Sequence, residues 1–392
     1  MQALRIYAGP AARLHIEQHG LRPQDVGVIP GAAGGPKGLI LGPLDRFIFG
    51  DWLAKSDHPI HLVGASIGAW RMATACLRNS LNELKKLEHD YIRQNYEIKP
   101  GEKFPSADTV TRDFSQILAN FYAGKAGDVL SHPRFKLHII TSRGRHILQR
   151  ERRFTTPLGY LGAFLSNSVA RKAMGAWLER VVFSTPGAAL PFDARDYRTS
   201  QFDLTEANFN SALQASCSIP FVLRAVHNIS GAPAGAYWDG GLTDYHLHLN
   251  YATNSGAACA RNMGARGQND HNFRVNDAAH HGLNGAMGSA ASLVLYPHFQ
   301  KSVVPGWLDK SFKWRHKATP FLDNMVLLAP NPDWIKTLPN GKLPDRTDFT
   351  RYGTDLQARV KAWTTAASCS EQLADEYQQW LAKPDLSRVE QL

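Results

Sequence analysis

The sequence predicts an α/β fold, with a mainly parallel sheet covered by helices. Three observations carry that expectation. Two strand–glycine loop–helix units follow one another within the first eighty residues. Short apolar runs recur further along, separated by segments with helical spacing. The 392 residues, 43% of them hydrophobic, supply enough apolar mass for a large core. There is no internal repeat and no composition shift of the kind that marks a linker, so one domain across residues 1–392 is expected.

The first unit begins at Val26-Gly27-Val28-Ile29, a strand-like run that ends in a glycine-rich loop at 31–38. Residues 39–53 then place Leu41, Leu44, Phe47 and Ile48 on one side at helical spacing. The second unit comprises the strand Ile60-His61-Leu62-Val63, the turn Gly64-Ala65-Ser66-Ile67-Gly68 and a helix through Leu77. Next come a charged helix at 81–96, a helix around 114–121, strands at 137–141 and 181–184, and a helix at 163–178 between those strands. A helix at 206–215 puts Phe209 and Leu213 on one face, and the strand Ala236-Tyr237-Trp238 leads into Asp239-Gly240-Gly241. Residues 245–249 and 292–296 read as strand-like and 325–328 as a further strand. A single long helix, about 357–381, forms a helical closure at 355–383. Within 252–291, 22 of 40 positions are Ala, Gly or Asn. So few large apolar groups cannot offset the ordering entropy, so a mobile insertion is expected, with a lid as the alternative.

Lys and Arg number 44 against 34 Asp and Glu, a net charge of +10 that favours anionic partners. One basic cluster stands out: Arg143, Arg145, Arg150, Arg152 and Arg153. It reads as a solvated strand end, or functionally as a seat for an anionic headgroup. No reading helix, stacking-aromatic sheet or zinc finger is visible, so nucleic acid is not an expected partner. No apolar run is long enough to span a membrane, and the first residues lack the layout of a secretory signal. Four scattered cysteines without a Cys-x-x-Cys argue against a disulfide framework or structural zinc. The expectation is a cytoplasmic chain, peripheral to a membrane at most. The aromatic segments 160–165 and 304–308 read as core or lid packing, with lipid contact as the alternative.

Gly64-x-Ser66-x-Gly68 sits between a predicted strand and a predicted helix, the context of a nucleophile elbow. The following helix points its N-terminus at Ser66, which favours negative charge there. The bland alternative is that Ser66 merely caps that helix. The loop Gly34-Gly35-Pro36-Lys37-Gly38 lacks both the phosphate-loop and dinucleotide patterns, which leaves an oxyanion hole as its chemistry. Asp239-Gly240-Gly241, an Asp at a strand end beside bare backbone, gains meaning from the other two elements.

Together these residues resemble the patatin-like phospholipase family, whose members carry a D-G-G-G-x-[RK]-G loop, a G-x-S-x-G elbow and a later D-G-[GA]. Gly34-Gly35-Pro36-Lys37-Gly38 matches the end of the first motif, Gly64 to Gly68 the second, and Asp239-Gly240-Gly241 the third. Ala215-Ser216-Cys217-Ser218-Ile219-Pro220 resembles the family's A-S-x-A-I-P segment, while Ala32 and Ala33 stand where Asp and Gly are usual. The resemblance spans roughly residues 24–250. It implies a three-layer α/β/α patatin-like fold and a Ser66–Asp239 dyad. The oxyanion hole would lie at Gly34, Gly35, Pro36, Lys37 and Gly38, with a separate nucleophile elbow of Gly64, Ala65, Ile67 and Gly68 and an Asp loop of Gly240 and Gly241. Neither cofactor nor metal is implied; the partner is a lipid or other acyl ester, phospholipid first. Two alternatives stand beside it. One is an α/β-hydrolase triad with His246 or His248 as base; the other is a non-catalytic basic module that binds anionic membranes. Those histidines otherwise read as surface or satisfied core groups, and a metal site joining them to His271, His280 and His281 is not expected.

Overall fold

A computed structural model describes residues 1–97, 105–252 and 293–392. Its strands are β1 (Leu4–Ala8), β2 (Val26–Gly31), β3 (Ile60–Ala65), β4 (Phe135–Gly144), β5 (Leu178–Ser184), β6 (Thr199–Asp203), β7 (Val226–His227), β8 (Ala236–Asp239), β9 (Leu293–Pro297), β10 (Met325–Pro330) and β11 (Val389–Gln391). They join one sheet in the order β11-β1-β10-β9-β2-β3-β4-β5-β6, with β8 also pairing β4 and β7 pairing β8. The centre, β10-β9-β2-β3-β4, is parallel throughout; β1 with β10, and β4 with β5 and β8, are antiparallel. Helices cover both faces. The predicted α/β fold with a mainly parallel sheet is the fold observed.

Burial explains why the central strands read as continuous apolar runs. Ile29, Leu62, Val63, Ile139, Ile140, Val181 and Val182 are all inaccessible, as strands covered on both faces require. The helix Ile67–Ala75 packs on β3 and its neighbours, and its Trp70 meets Tyr91, Phe114 and Phe121 edge-on. Its Arg71 forms a buried bidentate pair with Asp45, both N–O distances 2.7 Å, which ties this helix to Gly42–Phe47.

Several elements differ from expectation for local reasons. The helix expected at 39–53 starts earlier and is a chain of short helical pieces: a 3-10 segment at Gly35–Leu41, an α-helix at Gly42–Phe47, a π turn at Ile48–Trp52 and a 3-10 turn at Leu53–Lys55. The helix expected at 163–178 is instead Thr155–Val169 followed by a 3-10 segment Arg171–Ala176, and Leu178 already belongs to β5. The break lies at Ala170, which is extended; beyond it Arg171 turns inward to the carboxylates of Asp244 and Asp309. Residues 245–249 are not a strand, because Leu247 adopts φ 51°. The C-terminal closure is two helices, Leu356–Cys369 and Glu371–Ala382, split where Ser370 Oγ donates to the Ala367 carbonyl at 2.6 Å. In the segment 160–165, Tyr160 and Ala163 are buried as expected, but Leu161 and Leu165 are exposed. The expected insertion at 252–291 lies, apart from Ala252, outside the described residues, as do His271, His280 and His281. Among the described residues no helix is long and apolar enough to cross a membrane.

Candidate active site

Ser66 follows β3 directly and precedes the helix Ile67–Ala75, with φ 55° and ψ −129°. A non-glycine residue held at positive φ on a tight strand-to-helix turn is the strained geometry of a nucleophile elbow. The turn closes only because its flanks are bare. A Cβ on Gly68 would lie 1.8 Å from the Gly31 carbonyl oxygen, and one on Gly64 would lie 2.3 Å from Ala69 Cα. Ala65 and Ile67 are buried beside it. The Ser66 side chain makes no capping bond to its helix. Its Oγ donates instead to Asp239 Oδ2 at 2.8 Å. The capping alternative is thereby excluded, and two residues 173 positions apart are brought into direct contact.

The segment resembling A-S-x-A-I-P ties the two sides together. Ser216 Oγ accepts the Ser66 N–H at 2.9 Å and donates to the Ile140 carbonyl at 2.7 Å. The Asp239 N–H donates to the Ser218 carbonyl at 2.9 Å, and the Gly240 N–H to the Ser216 carbonyl at 3.1 Å. Gly241 N–H donates to Asp239 Oδ1 at 2.7 Å, so each carboxylate oxygen has one partner and Oδ2 faces the serine.

Electrostatics separates two neighbouring carboxylates. Burial raises the Asp239 pKa to about 6, against the opposing pull of the Ser66 hydroxyl, Arg346, the Gly241 N–H and Lys310. Asp244 is also buried, but direct contact with Arg180 at 2.6 Å and with Arg171 at 3.1 Å overcomes that penalty and holds it below the usual carboxylate range. Of the two, Asp239 is the carboxylate able to take up a proton closer to neutral pH, and Asp244 is held as an ion by its arginine partners. The nearby Cys217 thiol is pushed well up by burial and by the Asp239 charge, so it stays protonated.

The cleft over these groups has a volume of about 190 Å³, and Gly34, Lys37, Ile219, Trp307, Lys310 and Arg346 are among its lining residues. Gly34 and Lys37 thus meet Ser66 at one cavity. Gly35, at φ 57° in the left-handed region that suits glycine, opens the 3-10 segment Gly35–Leu41. Pro36 and Gly38 are buried inside that segment and, unlike Gly34 and Lys37, are not among the residues that line the cleft; Pro36 has no N–H to donate. The Ala33 N–H is already taken by the Tyr245 carbonyl at 3.0 Å. Lys310 and Arg346 were missed in the sequence because no motif surrounds them. The Lys310 ammonium sits 4.0 Å from the Tyr245 ring centre, and partial burial, then Arg346 and Lys37, push its pKa down to about 8.

Neither candidate histidine bonds to the pair. His246 Nδ1 lies 3.1 Å from the Ser302 carbonyl and 3.1 Å from the Val304 N–H, and burial drives its pKa well down. Both ring nitrogens of His248 are used at 2.8 Å, one by the Val303 carbonyl and one by Thr319 Oγ1. His248 is a satisfied core group, and His246 is a buried one whose Nε2 has no hydrogen-bond partner among the described residues.

A largely parallel α/β sheet with a serine at the strand-to-helix turn and a carboxylate in contact defines the class by architecture, an α/β protein with a Ser–Asp contact at its cleft. Within it, the sequence profile of the patatin-like phospholipase family matches residues 32–246, more than half of the chain, and the chain belongs to that family of lipid acyl hydrolases. The matched span contains the elbow, the glycine loop and Asp239, whereas Lys310 and Arg346 lie beyond it. A search of curated proteins returned no match.

Proposed function

We propose that the protein is a serine acyl hydrolase that cleaves the ester of a lipid through an acyl-enzyme on Ser66, with Asp239 as its base. The observation that carries this reading is the 2.8 Å bond from Ser66 Oγ to a buried carboxylate, with the serine on a strained elbow. Asp239 Oδ2 takes the hydroxyl proton as Oγ attacks the ester carbonyl. The carbonyl oxygen becomes an oxyanion in a cleft where N–H groups at the start of two helical segments, Gly35–Leu41 and Ile67–Ala75, lack intrahelical acceptors. Lys37, Lys310 and Arg346 add positive charge around the same cavity. Collapse of the intermediate expels the alcohol, which takes the proton from Asp239. Water then gives a proton to the same carboxylate and attacks the acyl carbon, and Ser66 Oγ leaves by taking that proton back, which frees the acid and restores both residues.

A fluorophosphonate probe and a soluble short-chain ester test this directly. The wild-type chain should label and turn over; Ser66→Ala and Asp239→Ala should lose turnover by at least about 1,000-fold, in line with removal of a nucleophile or its base. His246→Ala should keep most activity. Collapse of the folded His246 variant would move the base to histidine, and absence of labelling in the wild type would refute the hydrolase. A panel of phospholipids, neutral glycerides and soluble esters then sets the substrate; preference for short soluble esters would overturn the lipid assignment.

A further inference from the structure

The helix Thr155–Val169 is amphipathic in the reverse of the usual sense. Its buried positions are Thr156, Gly159, Tyr160, Ala163 and Asn167, mostly small or polar. Its outward positions, Phe154 at the N-cap and then Leu158, Leu161, Leu165 and Val169, are large and apolar, and each is between 53% and 84% exposed. Their spacing of four, three, four and four residues keeps them on one stripe. A stripe of this kind left in water is a docking surface rather than an ordinary helix face.

Its surroundings identify the occupant. From residue 152 to 178 the sequence contains no Asp or Glu. Arg150, Arg152 and Arg153 stand exposed at the N-terminal end of the helix and Lys172 beyond its C-terminal end, and none forms an ion pair among the described residues. Glu151 is engaged by Arg224 instead. The Arg153 guanidinium lies over the Phe154 ring at 5.7 Å, a charged head at the rim of an apolar surface. An apolar stripe with cations at both ends and no acids between them matches a bilayer that carries anionic headgroups.

The stripe is also continuous with the cleft. Tyr160 packs edge-on against Phe221 at 5.8 Å and against Trp238, the residue before Asp239, at 5.9 Å. Phe221 is itself exposed, adopts φ 69° and directly follows Ile219 and Pro220 of the cleft wall. On the other side Phe164 stacks on Phe312, which packs against the exposed Trp314.

We infer that the helix Thr155–Val169, with its flanking arginines and Phe221, is the surface by which the protein seats on an anionic phospholipid bilayer with its cleft mouth at the lipid. Flotation of the full chain with vesicles of phosphatidylcholine, alone or with about 30% phosphatidylglycerol, tests it, since anionic lipid supplies the surface potential. The wild type should bind the mixed vesicles more tightly and lose binding as salt is raised. Leu158→Ser with Leu165→Ser should weaken binding at least about tenfold, and Arg152→Glu with Arg153→Glu should abolish the preference for anionic lipid. Both variants should keep the wild-type circular dichroism and turnover of a soluble ester. Wild-type chain that ignores vesicles, or variants that bind as it does, would overturn the inference. So would a concentration-dependent dimer that the serine variant disperses, since the stripe would then join two copies of the chain. Binding is read without turnover, so a wild type inert toward the soluble ester would refute the hydrolase while leaving the vesicle result to stand or fall alone.

Discussion

Replacing Asp239 with Asn should make the protein more stable and inactive at once. The carboxyl is buried, and that burial raises its pKa from 3.8 to about 6. A rise of about two units corresponds to about 3 kcal/mol, the net cost of keeping the carboxylate charged inside the fold. Because the folded pKa lies above the unfolded one, the native state holds its proton more tightly. The associated stability is complete below about pH 4, drains away between about pH 4 and 6, and is absent above that. Asn preserves the shape and an acceptor for the Gly241 N–H but carries no charge to desolvate. At pH 4 the two proteins should therefore melt together; at pH 8 the variant should be favoured by about 3 kcal/mol. With an unfolding entropy of roughly 2.1 cal/mol/K per residue over this length, the midpoint should rise by about 4 °C. Thermal melts at pH 4, 5, 6, 7 and 8, beside ester turnover, measure both halves. Equal stability at pH 8, or a less stable variant, would mean that burial does not penalise this carboxylate, and the case for a base poised near neutrality would fail.

Turnover of a soluble ester should climb with pH through a midpoint near 6 as Asp239 loses its proton, and fall again near 8 as Lys310 loses its charge. Lys310→Gln should remove the descending limb and leave the ascending one, as read from the kcat/KM profile. Gly68→Ala should drive a Cβ into the Gly31 backbone, costing about 3 kcal/mol or more by overpacking and at least about 100-fold in turnover, as denaturation and rate measurements would show. Asp244→Ala should strip the buried Arg180 of its closest partner and cost about 3–5 kcal/mol in denaturant titrations, with Asp196 at 3.0 Å left to soften the loss.

The elbow and the Asp turn were legible in the sequence because each is a local backbone problem. A serine between two strictly required glycines, and an aspartate followed by two more, announce sharp turns wherever they fall. The contact between them followed only from the resemblance, because no periodicity relates residues 173 positions apart. Lys310 and Arg346 were illegible for a related reason. Lys310 lies in the connection after β9 and Arg346 in the one after β10, and two lone cations in loops carry no signal that both line the cleft. Helix boundaries failed where a polar group overrode the apolar period: Arg171 seeks buried carboxylates, and Ser370 bonds back to its own helix. Within 160–165 the reading as packing holds for Tyr160 and Ala163 but not for Leu161 and Leu165, because apolar residues at helical spacing look the same whether they face a core or solvent.

The position of β1 has a consequence for how the chain is made. This strand is flanked by β10 and β11, so its two hydrogen-bonding neighbours are encoded more than 300 residues after it. Translation at about 5–20 residues per second leaves β1 waiting roughly 15–60 seconds with both edges unpaired and its apolar side chains uncovered. During that interval the nascent chain presents an extended strand to any other open edge, including that of a second ribosome-bound copy. Holding by a chaperone, or low temperature during expression, should therefore raise the yield of folded protein more than any change at the cleft.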